Sequence, residues 1–479
     1  MHTWDERAEL LAHSVLGYAV ERLRLPKDPQ WGARPAAELN RVLDQMVSAE
    51  GVGGHEALRV FRDVLLPACR PMDDPRNLAY VPTAPSIAAN LFDLVVSASS
   101  IFGGYWEGGA GAIAAENQAL RWLADLAGFP AGAGGCFVSG GSAANLSALV
   151  TARHRARGGM DRQDEPRWRI AATAETHSSV HAAARVMDVD VLGVRQDDRG
   201  RLTGDALASA LDADADHGSG VFAVVANAGT TNAGAVDDLA GIAAVCAERN
   251  LWLHVDAAYG GAGLCAPTAR AEFAGIERAD SFGLDPHKWL FAPYDCAALV
   301  YREPSLAADT HAQHATYLEQ IDRDEWNPAD YAFHLSRRAR GLPLWFSLVA
   351  HGTDAYTEAV ETTLAAARWL AAEVDSRPGF ELLLEPQLSV VLFRRVGWDA
   401  PHYAAWTVSR AKAGSVFVVP TRWRGETCYR VCVVNPRTTI EHLRELLDDM
   451  ESDDALLADI ALDQVVFDDV VFAGLGGPE

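Results

Sequence analysis

Residues 251–261 have the sequence LWLHVDAAYGG, an apolar run that ends in one carboxylate, Asp256, and a pair of glycines. A short apolar run that leads directly into a turn is typical of a strand buried on both faces of a sheet. Segments with helical periodicity separate this run from others of the same kind. This alternation predicts an α/β fold with a mainly parallel sheet that is covered by helices on both faces. The other predicted strands are 136–139, 169–173, 221–226 and 296–301, and the helices between them are 143–157, 179–187 and 238–248.

The length of 479 residues predicts more than one structural unit. We expect an N-terminal helical segment at 1–75, a large domain at 76–340 and a small C-terminal α+β domain with an acidic tail at 341–479. Proline-containing loops near the first boundary mark the change in pattern. The elements predicted for the C-terminal part are a long helical stretch at 345–374, strands at 388–394, 416–419 and 429–434, and a helix at 440–450.

The composition argues against several classes of partner. Lysine and arginine (41) against aspartate and glutamate (65) give a net charge of −24. So acidic a protein repels phosphate backbones and anionic membrane surfaces, and we expect neither nucleic acid nor membrane as a partner. The first 25 residues have the pattern of an amphipathic helix and lack that of a signal peptide, which favours the cytoplasm. Seven scattered cysteines show no metal or redox spacing and predict buried thiols.

Ligands of open parallel sheets bind at the carboxyl ends of the strands. The strand at 136–139 is followed by SGGSAAN at 139–145. Two glycines and Ser142 at the start of a helix suit an anion such as a phosphate group. An ordinary strand-to-helix turn capped by Ser142 explains the segment equally well.

Two charged residues follow the next apolar strands. Asp256 is costly to bury unless it meets a cation such as a protonated pyridine nitrogen, and Ala258 is small enough to lie flat against a ring. A plain turn cap is the alternative for Asp256. Lys288 lies in the apolar segment ADSFGLDPHKWL at 279–290. Desolvation lowers the pKa of a lysine towards the range of a nucleophilic amine, as Schiff-base chemistry requires.

A histidine and two threonines complete this set of strand-end residues. His177, in ETHSSV at 175–180, is placed to stack on a planar ring and to exchange a proton. A purely structural histidine is the alternative. Thr230 and Thr231 follow the strand at 221–226 and add hydroxyl groups at the same edge.

The motifs SGGSAAN, THSS, GTT, HVDAAYGG and DPHKW occur in this order along the chain. This order resembles the group II pyridoxal-5′-phosphate (PLP) decarboxylases, which include the aromatic-L-amino-acid, histidine, glutamate and 2,4-diaminobutyrate decarboxylases. The resemblance extends from about Asn77 to Arg437. It implies the PLP fold type I of the aspartate aminotransferase kind, with PLP as the cofactor.

The resemblance assigns roles to individual residues. Lys288 would form the Schiff base with PLP, Asp256 would pair with the pyridinium nitrogen, and His177 would stack on the ring. Both Asp256 and His177 therefore count with Lys288 as catalytic candidates. The other implied cofactor contacts are Gly141, Ser142, Thr231, Ala258, Ser281 and His287.

The family also implies a homodimer whose active site lies at the subunit interface. Phe102 or a neighbour would reach the partner's site, and Tyr80 and Thr83 would lie near the substrate. A tyrosine on a mobile loop delivers a proton in this family, and the loop would be about 307–335 here. Tyr331 is the candidate proton donor, with Tyr317 as the alternative.

The chain departs from the family pattern at three places. The glycine-rich stretch WEGGAGAI at 106–113 replaces a Ser-Pro-Ala motif, Met72 replaces an aromatic residue of the animal enzymes, and Asp285 stands where animal relatives have asparagine. The leading hypothesis is decarboxylation of an L-amino acid to its amine and CO2. A PLP-dependent aldehyde synthase, aldehyde-lyase or aminotransferase is the runner-up, and a non-catalytic dimer is the third. Which amino acid is the substrate stays open.

Overall fold

The computed structural model describes residues 2–24, 31–44, 46–161, 163, 165–214, 218–313 and 325–452. Within these ranges the strands form two sheets, one of seven strands and one of four. No helix in the described ranges combines the length and the apolar character needed to cross a bilayer. The tail predicted to be acidic lies outside the described residues from position 453 onward.

The large sheet confirms the predicted α/β architecture. Its strands are β1 (Gly134–Val138), β2 (Arg169–Ala172), β3 (Asp190–Gly193), β4 (Val221–Asn227), β5 (Trp252–Asp256), β6 (Ser281–Leu284) and β7 (Ala297–Tyr301), in the spatial order β1-β7-β6-β5-β4-β2-β3. Strands β2 to β6 pair in parallel, and β7 is antiparallel to both β6 and β1. Two reversals restore the direction, so β1 points the same way as β6. The carboxyl ends of β1, β2, β4, β5 and β6 therefore share one edge.

Strand burial follows from the apolar pattern. In β5, Leu253 and Val255 contribute to one hydrophobic cluster, while Trp252 contributes to another. Successive side chains of a strand point to opposite faces, so both faces of this sheet are covered. Strand β3 was not predicted from the sequence, because it lies at the sheet edge and none of its residues is buried.

The helices of the described residues agree in part with the sequence pattern. The predicted helix at 345–374 is broken at Gly352, whose φ of 76° ends one helix and begins the next. The predicted loop at 307–335 begins inside a helix. The helices are α1 (Glu6–Arg24), α2 (Ala36–Leu43), α3 (Gly54–Val60), α4 (Ile87–Ser99), α5 (Trp106–Leu126), α6 (Gly141–Arg157), α7 (Ser178–Met187), α8 (Gly204–Ala213), α9 (Leu239–Arg249), α10 (Pro286–Trp289), α11 (Pro304–His311), α12 (Leu342–His351), α13 (Thr353–Ser376), α14 (Ala400–Ala413) and α15 (Ile440–Ser452).

The smaller sheet is antiparallel throughout. Its strands are β8 (Phe380–Leu382), β9 (Val390–Arg395), β10 (Val419–Trp423) and β11 (Glu426–Cys432), in the order β10-β11-β9-β8. The strand predicted at 416–419 is wrong except for Val419, because Phe417 forms only an isolated bridge with Asn77.

Helix α13 connects the two hydrophobic cores. Val360 and Leu364 pack in the core of the large sheet, and Leu370 and Val374 pack in the core of the small one. The domain limits near residues 75 and 340 stay predictions. Six of the seven cysteines are buried as predicted, whereas Cys69 is exposed.

Candidate active site

Five strand ends bring the predicted site residues to one edge of the large sheet. The segments that follow β1, β2, β4 and β6 carry Gly141, His177, Thr231 and Lys288, and Asp256 is the last residue of β5. These residues are far apart in the chain. Because the carboxyl ends of their strands meet at this edge, the topology gathers them there.

Lys288 lies on the short helix α10, which starts directly after β6. Pro286 stands in the first turn, where its fixed φ suits a helix start. Trp289 Nε1 donates to Thr363 Oγ1 at 2.9 Å, and His287 Nδ1 lies 2.7 Å from the carbonyl oxygen of Cys296. The residues on both sides of Lys288 are therefore anchored.

The Lys288 ammonium group forms an ion pair with Asp285. Its Nζ lies 3.0 Å from Asp285 Oδ2, and the two side chains are 25% and 2% exposed. Burial lowers the pKa of Lys288, but the carboxylates of Asp285 and Asp256 outweigh this effect, so the pKa lies above its ordinary value. The desolvation predicted from the apolar neighbours is therefore present, but it does not determine the direction of the Lys288 pKa shift. Lys288 becomes a nucleophile only when it leaves this pair and loses its proton.

Asp256 ends strand β5 as a buried carboxylate. Its Oδ2 accepts a hydrogen bond from Asn145 Nδ2 at 2.8 Å, and its Oδ1 accepts one from the Ala258 amide at 3.1 Å. Both donors are uncharged, and no ion pair to Asp256 occurs within the described ranges. A buried carboxylate with only uncharged partners is stabilised by a cationic ligand. A protonated ring nitrogen is such a ligand.

Gly141 lets the backbone at the start of α6 pack closely against neighbouring side chains. A Cβ at this position would lie 3.1 Å from Ala258 Cβ and 3.3 Å from Asp285 Oδ2. The first N–H groups of a helix lack partners within it and attract anions. The N-cap is Gly140 without a side-chain cap, so Ser142 does not cap the helix and its exposed hydroxyl remains at this end. These N–H groups and this hydroxyl suit the phosphate end of a flat cofactor.

His177 is the N-cap of α7. Its Nδ1 accepts a hydrogen bond from the Ser179 amide at 3.2 Å and lies 2.8 Å from Ser179 Oγ. The alternative that His177 is a structural residue is therefore correct for the Nδ1 edge of its ring. The residue is exposed, so its ring is accessible to a ligand. Thr231 is also exposed, and its carbonyl oxygen accepts a hydrogen bond from Arg430.

Two of the predicted contact residues form hydrogen bonds within the protein. Ser281 starts β6, at the strand end opposite Lys288, and its fully buried hydroxyl bonds to His254 and Trp252. A contact of Ser281 with the cofactor is therefore wrong. Thr83 is buried and donates to the carbonyl oxygen of Ala292 at 3.2 Å, just after α10. Its contact with a substrate stays a prediction.

The remaining predicted residues are placed as follows. His287 lies 3.7 Å from Asp285 Oδ2 through its Nε2, and burial lowers the pKa of this histidine. Tyr80 and Phe102 are exposed. The Tyr80 carbonyl oxygen accepts a hydrogen bond from Arg430. Their contact with a substrate stays a prediction.

Tyr331, the candidate proton donor in the predicted loop, is buried. Its ring stacks on Trp326 with centroids 4.2 Å apart, and its carbonyl oxygen accepts a hydrogen bond from Tyr301 at 3.1 Å. Burial raises the pKa of its hydroxyl. Proton transfer by Tyr331 would require this stack to open and stays a prediction. Tyr317, the alternative, lies outside the described residues.

Three residues that the sequence interpretation left without a role belong to the site. Asn145 binds Asp256, His254 binds Asn145 at 2.9 Å, and Asp285 pairs with Lys288. One signal was available, because Asn145 follows Gly141 by four residues and therefore lies on the same helix face. No group of three or more potential metal-binding side chains occurs in the part of the chain that the structure describes.

Comparison with known proteins gives consistent matches. The pyridoxal-dependent decarboxylase conserved domain matches residues 38–396. An aromatic-L-amino-acid decarboxylase from Bacillus atrophaeus is 30% identical over 464 residues, which cover 92% of this chain and 96% of the relative. An L-2,4-diaminobutyrate decarboxylase from Rhizobium meliloti is 32% identical over 385 residues, which cover 78% and 77%.

A solved structure extends the match to the whole fold. The crystal structure of Oryza sativa TDC with PLP and tryptamine superimposes with a TM-score of 0.88 at 25% identity and covers 95% of this chain and 99% of that one. The Asp256 carboxylate, the start of α6 and the amine of Lys288 are groups that suit such a cofactor. The chain therefore belongs to the pyridoxal-dependent decarboxylase family, and it is a PLP-dependent carboxy-lyase that acts on an amino acid.

Proposed function

We propose that the enzyme converts an L-amino acid into the corresponding amine and CO2, with PLP held as a Schiff base on Lys288. The observation that carries this proposal is the placement of Lys288, Asp256 and the start of α6 at one edge of the sheet. The chain contains three lysines, Lys27, Lys288 and Lys412. Lys412 is an exposed residue of α14, whereas Lys288 follows a strand end in a largely buried setting.

The roles of the residues follow from their surroundings. PLP, when bound, accepts the electron pair that departing CO2 leaves behind. Asp256 keeps a proton on the ring nitrogen by its negative charge, and the exposed ring of His177 covers the face of the cofactor. The start of α6 at Gly141 and Ser142 binds the phosphate group. Asp285 holds the Lys288 ammonium group until the cofactor arrives.

A homodimer is part of the proposal. Helix α1 has 19 residues and none of them is buried, although Leu10 and Leu16 are apolar. Helix α4 likewise leaves Leu91 and Val95 exposed. Apolar helix faces of this extent are normally covered, and a second copy of the chain would cover them and place Phe102 near the partner's site. Sedimentation at several concentrations would give twice the chain mass, and a stable monomer would contradict this part. The cytoplasmic location stays a prediction.

One experiment tests the cofactor linkage. The PLP-loaded protein is reduced with borohydride, digested, and the modified lysine is identified by mass spectrometry. We expect modification of Lys288, its absence in Lys288→Arg, and no change in the matched control Lys412→Arg. Modification at Lys412 alone, or no visible absorption band after PLP is added, would overturn the proposal.

A second experiment tests the reaction. Carboxyl-labelled aromatic, acidic and diamino acids are offered separately, and CO2 and the organic product are measured. Equal amounts of CO2 and amine from one substrate support the proposal. Aldehyde with ammonia, or a keto acid, would instead show an aldehyde synthase or an aminotransferase, and an aldehyde from cleavage of the side chain would show an aldehyde-lyase.

A further inference from the structure

A network of polar side chains lies behind Asp256, and all of its members except the exposed His177 are buried. We call it the Asn145 network, and its members are Ser281, His254, Asn145, Asp256, Ser179 and His177. It branches at Asn145. One branch ends at the carboxylate proposed to meet the ring nitrogen, another at the imidazole proposed to cover the ring, and the third at Ser281.

The hydrogen-bond directions are fixed from the Asp256 end. An ionised carboxylate can only accept, so Asn145 Nδ2 donates to Asp256 and Asn145 Oδ1 accepts from His254 Nε2 at 2.9 Å. In the neutral ring Nδ1 then accepts from Ser281 Oγ, 2.8 Å away. Ser281 Oγ in turn accepts from Trp252 Nε1 at 2.9 Å. The neutral His254 ring agrees with the direction of its pKa, which burial lowers to about 4.

The remaining directions follow from the orientation of the Asn145 amide. With Oδ1 turned to His254, Asn145 Nδ2 donates to Asp256 Oδ2 at 2.8 Å and to Ser179 Oγ at 3.0 Å. Ser179 then donates to His177 Nδ1 at 2.8 Å. A flipped amide would turn Nδ2 towards the His254 donor and Oδ1 towards the carboxylate. Each buried mismatch costs about 1–3 kcal/mol, so one orientation dominates.

The packing of α6 on β6 makes this geometry possible. A Cβ at Gly283 would lie 3.2 Å from Ala144 Cβ and 3.9 Å from Asn145 Oδ1. The absence of a side chain at Gly283 lets α6 approach the sheet closely enough for Asn145 to reach across to β5.

We propose that Asn145 is a positioning residue that fixes the Asp256 carboxylate and the His177 ring together, and that His254 sets the orientation of the Asn145 amide. The inference rests on the proposed cofactor site. Asn145 links the carboxylate proposed to contact the ring nitrogen with the imidazole proposed to cover the ring face. Loss of Asn145 therefore disturbs both contacts, although the side-chain partners of Asn145 are Asp256, Ser179 and His254 and do not include Lys288.

The test compares PLP binding in purified variants. Asn145→Ala removes both donors, His254→Leu removes the group that orients Asn145, and His254→Gln retains a donor at the position of Nε2. Thr151→Val is the matched control, because Thr151 is a buried hydrogen-bonding residue of the same helix outside the network. The dissociation constant of PLP, the visible circular dichroism of the bound cofactor and the unfolding midpoint of the cofactor-free protein are measured.

We expect Asn145→Ala to weaken PLP binding about ten- to a hundred-fold, the equivalent of a lost hydrogen bond to a charged group. Its visible circular dichroism should fall, because the ring is no longer held in one orientation. His254→Leu should show the same changes and His254→Gln should largely restore both readouts. Thr151→Val should leave the PLP dissociation constant and the visible circular dichroism unchanged.

Three results would overturn the inference, and they are distinguishable. A wild-type protein that binds PLP on Lys288, together with an Asn145→Ala variant of equal affinity and dichroism, would contradict the positioning role alone. A wild-type protein without PLP binding would remove the proposed function and the inference with it. If the Asn145 and His254 variants lose affinity only in proportion to a fall in their unfolding midpoints, the role of Asn145 is structural and the inference fails.

Discussion

Replacement of Arg337 by methionine should destabilise the protein more than any nearby surface change. Arg337 forms two hydrogen bonds of 2.7 and 2.9 Å with Glu116, and the two side chains are 1% and 2% exposed. Arg337 also donates to the carbonyl oxygen of Gly103, and Glu116 accepts from the Gly341 amide. The pair thus connects α5, the segment before it and the start of α12.

The expected magnitude follows from burial. Removal of one partner leaves the other charge buried and unpaired, which costs about 3–5 kcal/mol. This corresponds to a roughly hundred- to five-thousand-fold larger unfolding equilibrium constant, at 1.36 kcal/mol per factor of ten. Glu116→Leu should cost a similar amount. The double variant removes both charges and should cost about 2 kcal/mol or more below the sum of the single variants.

Urea unfolding of the cofactor-free protein at neutral pH measures these differences. The matched control is Arg338→Met, because the Arg338 side chain is 35% exposed in its pair with Asp93. We expect that control to cost less than about 1 kcal/mol. The reasoning is refuted if Arg337→Met costs no more than the control, or if the effects of Arg337→Met and Glu116→Leu are additive.

Three further predictions concern single residues. Asp285→Asn removes the nearest carboxylate from Lys288 and should lower the pKa of its amine; at pH 7.5 PLP should then attach faster in stopped-flow absorbance, and an unchanged or slower rate would contradict the pairing. Gly141→Val should abolish tight PLP binding, because even its Cβ would lie 3.1 Å from Ala258 Cβ; equilibrium titration measures this, and wild-type affinity would show that the phosphate binds elsewhere. His334 has its pKa lowered from 6.5 to about 4, mainly by burial. The neutral form is thus favoured by folding, so stability present above pH 6.5 should be lost as the pH falls towards 4. This loss is at most about 3 kcal/mol, from 1.36 kcal/mol per pKa unit. His334→Leu should show a smaller loss in urea unfolding across this range, and an equal loss would assign the acid sensitivity to other groups.

The sequence alone was sufficient to predict the main architecture and, through the family resemblance, the cofactor. Apolar runs with turns behind them predicted five of the strands, because a strand buried on both faces needs an unbroken apolar sequence. Asp256 and His177 each follow such a run, so their meeting at one edge could be predicted from chain order. Lys288 follows β6, which is not among the five predicted strands, although its segment is apolar. Strand β3 could not, since an edge strand with no buried residue carries no such pattern.

Tertiary structure decided what each side chain of the site contacts. Asn145 and Asp256 are 111 positions apart, and Asn145 and His254 are 109 apart, so only the packing of α6 on the sheet brings them together. The sign of the Lys288 pKa shift likewise depends on where Asp285 and Asp256 lie in space. A sequence pattern records whether a residue prefers burial, but the partner that it meets there is determined by the register and packing of elements distant along the chain.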